Sequence, residues 1–185
     1  MYELSRHPTD QDRIRAWIAN CAIPVSEFTM RHDTPVAELI LETLRLYPSG
    51  WAMFRETEDA LELEPGVTIS AGSRICVSPY VTHRLPDLWP EPESFAPARF
   101  ADQASLAQAY SQFRFFPFAG GVHRCIGEGL ALMVIGMVLS ELLMQFDLSC
   151  EIEEPLKTLN KLCLEPAGSA NFVLHRRPAV HTSAM

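Results

Sequence analysis

No two cysteines in this 185-residue chain stand as C-x-x-C. That absence argues against a zinc cage, which needs closely paired thiolates. The five cysteines, Cys21, Cys76, Cys125, Cys150 and Cys163, are odd in number and widely spaced. Such usage suits an intracellular, reducing setting with mostly structural thiols. Positive charge is scarce too: 15 Lys and Arg stand against 23 Asp and Glu, a net charge of −8. Phosphate binding needs a basic surface, so nucleic acid is not expected as a partner. The N-terminus MYELSRHPTDQDR is polar, so no signal peptide is expected in it. One long apolar run exists, residues 126–146, and it holds Glu128, Glu141 and three glycines. A buried core helix explains it better than a membrane span. There is no internal repeat, no low-complexity segment and no linker that splits the chain.

What is present reads as one globular domain, 48% hydrophobic and 21% charged. Thr9 is expected to cap a first helix whose third position is Asp12, with Ile14, Trp17 and Ile18 at helical spacing. Thr34 and Pro35 open a second helix over 35–47, stopped by Pro48. Leu39, Ile40, Leu41, Leu44 and Leu46 surround most of it, which predicts burial. Residues 51–78 read as short strands separated by EPG and AG turns. From 79 to 117 six prolines leave no room for a long regular element, so an irregular, packed meander is expected. A meander of that length has a functional reason more often than not. A glycine-rich loop is expected over residues 118–127, followed by a long buried helix over 128–146 and a final hairpin over 160–177. The fold class is mainly α with small β-sheets.

The stretch FFPFAGGVHRCIGEGLALM, residues 115–133, concentrates the chemistry. Gly120, Gly121 and Gly127 allow close backbone approach and positive φ. Cys125 precedes a helix N-terminus, where amide donors and the positive helix end favour a thiolate. A thiolate there suits a soft or borderline metal. With one cysteine, the other ligands must come from elsewhere, and a porphyrin supplies four nitrogens. Phe118 suits the face of such a macrocycle, and His123 and Arg124 its carboxylates. The plain alternative is a reactive or buried cysteine in a glycine-rich turn.

Phe118-x-x-Gly121-x-His123-x-Cys125-x-Gly127 resembles the heme-binding signature of the cytochrome P450 family at every fixed position. Ala119 stands where the family usually has glycine, a change expected only to tighten the loop. Glu42-Thr43-Leu44-Arg45 resembles the family's ExxR element, and FAPARF, residues 95–100, its meander motif. Alone, Glu42 and Arg45 would be an ordinary exposed helix pair worth about 0.2–0.5 kcal/mol. The resemblance implies instead a Glu42–Arg45–Arg99 structural network. It also implies that Cys125 is the axial ligand of heme b, with Phe118, Gly121, His123, Arg124, Gly127 and Arg55 around the cofactor. A strand-end surface charge is the plain alternative for Arg55. VTHRLP, residues 81–86, resembles a further family stretch, with Leu85 replacing the usual acidic residue. His7, His32, His83, His175 and His181 show no ligand spacing and are expected to be surface or structural.

The resemblance covers the C-terminal portion of the family fold, its proximal heme-binding half. The long oxygen-activating helix, its acid–alcohol pair and the N-terminal helices of the distal pocket have no counterpart in these residues. The implied activity is that of a heme-thiolate monooxygenase acting on a small apolar substrate. A ferredoxin or reductase would supply electrons at the proximal face. Ser49–Phe54 and Leu159–Leu162 resemble substrate-recognition segments. The chain alone is expected to be inactive, to expose apolar helix faces, and to need heme or a second chain supplying the distal half. Two other readings stand beside this one: a heme-binding fragment or interaction module without turnover, and a zinc or redox-cysteine protein. The resemblance implies a cytoplasmic protein if soluble, and leaves open a membrane anchor in the missing N-terminal part.

Overall fold

A computed structural model describes residues 1–28, 31–151 and 156–178. Four helices come first: α1 (Tyr2–Arg6), α2 (Pro8–Asn20), α3 (Val25–Phe28) and α4 (Pro35–Leu46). Four short strands follow: β1 (Met53–Glu56), β2 (Leu61–Glu64), β3 (Val67–Ile69) and β4 (Arg74–Val77). The chain then passes through α5 (Pro79–Thr82), a 3-10 turn at Pro97–Phe100, and α6 (Gln103–Ser111). A second 3-10 turn at Gly121–His123 leads into α7 (Glu128–Gln145). The last strands are β5 (Phe146–Cys150), β6 (Thr158–Asn160), β7 (Leu164–Pro166) and β8 (Phe172–Arg176).

α4 is the organising helix. Thr34 caps it, its hydroxyl accepting from Ala37 N at 3.1 Å, and Pro35 occupies the first turn. Glu38 lies in the first turn and Arg45 in the last, in accord with the helix dipole. Its burial serves two cores. Leu39 and Ile40 join Leu4, Ile14, Leu132, Leu139, Leu143 and Leu148 in one cluster. Leu41 joins Trp89, Phe100, Leu106, Ala109 and Phe115 in the other. Each fully buried aliphatic or aromatic side chain contributes about 1.5–3 kcal/mol.

The α2 helix is tied to the end of α7 by polar groups. Gln11 exchanges two hydrogen bonds with the Leu148 backbone, at 2.9 and 3.0 Å. Arg15 donates to the carbonyls of Leu143 and Phe146 at 2.8 and 3.1 Å. These bonds satisfy carbonyls that the end of α7 leaves open.

All four sheets are two-stranded and antiparallel: β1 with β4, β2 with β3, β5 with β8 and β6 with β7. Gly66 (φ 85°) and Gly72 (φ 72°) take the left-handed conformations that the EPG and AG turns require.

Four expectations need correction. α2 starts at Pro8 with His7 as its flanking residue, so Thr9 lies inside the first turn and does not cap it. Proline is pre-organised for a first helical position, and that decides the start. The meander contains a nine-residue helix, α6, capped by Asp102, whose carboxylate accepts from Ala104 N and Ser105 N at 3.3 and 3.0 Å. The six prolines all lie outside it. The stretch 160–177 is not one hairpin: β7 closes on β6, while β8 pairs back to β5. β5 leaves α7 with an open edge and offers five paired positions, against three for β7.

The fourth correction concerns α7, which is buried on one face and not throughout. Leu132, Gly136, Leu139, Ser140 and Leu143 face inward. Leu130, Val134, Met137 and Val138 are exposed, Leu130 at 63% and Val138 at 55%. Beside this face runs an apolar cavity of about 540 Å³, lined by Leu4, Leu39, Leu44, Val134, Val138 and Leu142. By length and composition α7 passes as a membrane span, but the inward face packs in the first core.

Candidate functional site

The cysteine loop hangs from the second core. Phe115 and Phe116 are buried; Phe115 lies 4.9 Å from Phe100, 5.0 Å from His83 and 5.2 Å from Tyr110, centre to centre. From that anchor the chain turns sharply. Ala119 N donates to Phe116 O at 3.1 Å, and Ala119 and Gly121 both adopt φ 61°. Arg124 N donates to Gly121 O at 3.2 Å, and Cys125 N donates to Phe118 O at 2.8 Å. Phe118 itself packs against the first core. At Gly120 an added Cβ would stand 2.4 Å from Cε1 of Phe113, so that exposed ring would have to move aside.

Ala119 is therefore more than a tightened loop. It holds a left-handed backbone conformation that suits glycine and costs an alanine of order 1 kcal/mol. The loop keeps it because two bonds, at Ala119 N and Cys125 N, fix the turn on either side.

The Cys125 thiol is free and exposed at the head of α7. Glu128 N donates to Cys125 O at 3.4 Å, and Ala131 N to Gly127 O at 2.8 Å, so the helix ladder begins directly behind it. Its apolar neighbours Val122 and Ile126 are exposed at 96% and 105%. His123 is exposed in the short 3-10 turn. Arg124 turns to Glu128, with bonds of 2.6 and 3.0 Å, and lies 5.7 Å from the Tyr110 ring centre. Hydrogen bonding to Glu128 raises the Arg124 pKa further above its usual value. Burial, with Glu128 nearby, likewise raises the Tyr110 hydroxyl. The arginine expected at a cofactor carboxylate thus has a carboxylate already.

Arg55 stands across a cavity of about 340 Å³ that it shares with Met53, Thr82, Phe116, Ala119 and Gly120. It donates to its neighbour's carbonyl, Phe54 O, at 2.8 Å. No carboxylate pairs with it among the described residues.

Glu42 and Arg45 form a buried cluster with the 83–99 stretch. Their side chains are 0% exposed and meet at 2.7 and 2.8 Å. Arg45 also donates to His83 O at 2.8 Å, Pro92 O at 2.7 Å and Ser94 O at 3.1 Å. Glu42 accepts from Ala96 N at 2.9 Å, and Arg99 Nε approaches it to 3.4 Å. The Arg99 contact is a close charge pair without hydrogen-bond alignment; its bond goes to Glu91 O at 2.8 Å. The network is thus a tight pair with a looser third member.

Two segments distant in sequence meet above β1. Trp51 Nε1 donates to Lys161 O at 2.8 Å, and Leu164 N to Ser49 O at 2.9 Å. Ser49–Phe54 and Leu159–Leu162 are thereby held side by side, with Phe54 and Leu162 exposed.

His83 is the residue that the sequence left undistinguished. It is fully buried, and its ring nitrogen Nε2 accepts from Phe116 N at 3.0 Å. Its place in VTHRLP, just ahead of the prolines that return the chain to the aromatic run, was the available signal. His181 lies outside the described residues.

The model of the cytochrome P450 family matches residues 1–177. The chain belongs to the cytochrome P450 family. It is 32% identical over 191 aligned residues to cytochrome P450 3A31 of Mesocricetus auratus, covering 100% of this chain and 37% of the relative. A probable cytochrome P450 4d20 of Drosophila melanogaster is 30% identical, with 97% of this chain and 36% of the relative covered. The crystal structure of a mutant P450DA heme domain superposes with a TM-score of 0.81 at 23% identity, over 96% of this chain and 39% of that one. The chain thus spans a little over a third of the length of these relatives, and its fold is a portion of the P450 heme domain. Heme b, held through a cysteine thiolate, is the cofactor of this family.

Proposed function

We propose that these residues form the thiolate side of a heme-thiolate monooxygenase, with Cys125 as the axial ligand of the heme iron. The carrying observation is the free, exposed Cys125 thiol, whose own backbone N–H is pinned to Phe118 O at 2.8 Å.

The surrounding residues fit heme. Val122 and Ile126, in the same loop as Cys125, expose apolar surface that a flat apolar group would cover. Gly121 and Gly127 add no Cβ that would keep it away, and Phe118 backs the loop from the core. Arg55, without a carboxylate partner among the described residues, and the exposed His123 are the groups available to two propionates. Arg124 serves differently: held on Glu128, it fixes the first turn of α7.

When bound, thiolate-ligated heme supplies the oxygen chemistry of a monooxygenase, one atom of O2 going to an organic substrate. The chain's own part is to hold the sulfur and to anchor the carboxylates. Ser49–Phe54 and Leu159–Leu162, joined through Trp51 and Lys161, offer Phe54 and Leu162 to a small apolar substrate. A ferredoxin or reductase would bring electrons to the proximal face near Cys125.

The second reading is a heme-binding fragment without turnover. It is favoured by the coverage of 37% and 39% of the relatives, which leaves the other heme face to residues outside these 185, on this or a second chain. A difference spectrum of the chain with added heme, reduced under carbon monoxide, tests both. A strongly red-shifted Soret band that disappears in Cys125→Ala supports thiolate ligation. A band typical of histidine or water ligation rejects it. Substrate oxidation with a reductase then separates enzyme from fragment.

A further inference from the structure

We propose that His83 is a positioning residue: it couples the buried Glu42–Arg45 pair to the cysteine loop through the backbone of Phe116. One end of His83 is its carbonyl, which accepts from Arg45 Nη1 at 2.8 Å. The other end is its ring, where Nε2 accepts from Phe116 N at 3.0 Å. The residue thus ties a side chain of α4 to the strand of chain that enters the loop. Phe116 O then holds Ala119 N at 3.1 Å, and two residues on Phe118 O holds Cys125 N at 2.8 Å.

The geometry fixes the chemistry of the ring. A backbone N–H only donates, so Nε2 is the bare nitrogen and the proton sits on Nδ1. Nδ1 has no partner among the described residues. A buried, unpaired donor is unfavourable, so the ring is not held there by Nδ1. What it does satisfy is the buried N–H of Phe116, which would otherwise be orphaned. The ring is also fixed in orientation, 5.0 Å from Phe115, 5.3 Å from Phe116 and 6.5 Å from Trp89. Its backbone is equally constrained: His83 N donates to Pro79 O at 2.8 Å, closing α5, which Ser78 caps. Burial keeps the imidazole neutral, with its pKa lowered to about 3, so the acceptor role holds over the whole neutral range.

The consequence for the sulfur rests on the heme reading above; the coupling itself does not. The test therefore begins without heme. Amide hydrogen exchange is followed residue by residue in the full 185-residue chain and in its His83→Leu and His83→Gln variants. His83→Leu removes the acceptor. Protection at Phe116, Ala119 and Cys125 should fall about tenfold, the equivalent of about 1.4 kcal/mol. Amides of β1 and the middle of α7 should change less than about twofold. His83→Gln presents an oxygen near the place of Nε2 and should restore the loop's protection. Unchanged exchange at Phe116 and Cys125 in His83→Leu would overturn the proposal. So would an equal loss throughout the chain in both variants, which is what mere core filling predicts. The same proteins are then given heme and reduced under carbon monoxide. His83→Leu should show a smaller thiolate-type fraction than wild type, and His83→Gln should not. If wild type shows no thiolate band, the heme reading fails while the exchange data still decide the coupling.

Discussion

Arg45 and Glu42 meet fork to fork at 2.7 and 2.8 Å, with neither side chain exposed. Arg45 spends its remaining donors on three carbonyls, those of His83, Pro92 and Ser94. These carbonyls belong to the proline-rich chain between α5 and the Pro97 turn, which has no ladder of its own. The pair therefore substitutes for secondary structure there. A lysine has three donors on one atom and cannot match a planar fork. Arg45→Lys should lower unfolding stability by about 3–5 kcal/mol, the range for a broken buried pair. Glu42→Gln should cost a similar amount, since it leaves Arg45 uncompensated. Urea unfolding followed by tryptophan fluorescence measures both, and losses below about 1 kcal/mol would show that the meander is held by something else.

Ala119 offers the opposite sign. Its φ of 61° is a glycine conformation carried by an alanine. Ala119→Gly removes that cost, offset in part by the greater entropy of glycine in the unfolded chain. The expected gain is up to about 1 kcal/mol, read as a higher urea midpoint with unchanged slope. Gly121→Ala, at the same φ with open space around it, should lose about 1–2 kcal/mol. A lower midpoint for Ala119→Gly would mean that the alanine methyl makes contacts worth more than its strain.

These two sites show what the sequence discloses. The cysteine loop and the Glu42–Arg45 pair are local patterns that the family resemblance picks out, whereas spacing alone leaves the pair an ordinary exposed one and the cysteine a plain turn residue. Thr34 and Pro35 are a local pattern too and announce α4, whose cap is in place. What escapes depends on distance. Whether β8 pairs with β7 or β5 is a competition between edges far apart in the chain. α6 is masked by the prolines that flank it over 79–117, although none lies within Gln103–Ser111. α7 is apolar on all sides, so its pattern does not say which face turns inward. His83 carries no motif chemistry, and its importance comes from two bonds spanning 38 and 33 residues. Arg124, expected beside the cofactor, bonds Glu128 one turn on, a partner that the loop motif does not announce.

The buried His83 sets a pH dependence. Its pKa falls from 6.5 to about 3 on folding, chiefly through desolvation. The unfolded chain therefore takes up this proton first as pH drops. Stability associated with the neutral ring is complete above about pH 6.5 and is lost as pH falls toward 3. Within that window the loss approaches about 1.4 kcal/mol per pH unit from this group. Carboxylates titrate there as well, so the informative quantity is the wild-type slope minus that of His83→Gln. That difference should be positive between pH 4 and 6, on the order of 1 kcal/mol per unit, and absent above pH 7. Parallel curves would mean that the ring is charged, or solvated, in the folded protein.

The outer face of α7 carries the last prediction. Leu130, Val134, Met137 and Val138 recur at helical spacing and are all exposed, next to the 540 Å³ apolar cavity. A continuous apolar stripe of this kind on an isolated chain favours association. The 185-residue chain should sediment as a concentration-dependent oligomer. Val138→Glu places a charge in the stripe without touching the cores, so the sedimentation coefficient should fall. Its urea midpoint should stay close to wild type, within about 0.5 kcal/mol, as for surface substitutions. Leu139→Glu, one position along on the inward face, should instead unfold the chain, because it buries an unpaired carboxylate among Leu4, Ile14 and Leu143. The contrast between neighbouring positions is the point of the experiment: association and folding use opposite faces of one helix. A wild-type chain that remains monomeric at every concentration, or a Val138→Glu chain that still associates, would remove the outer face of α7 as the contact surface.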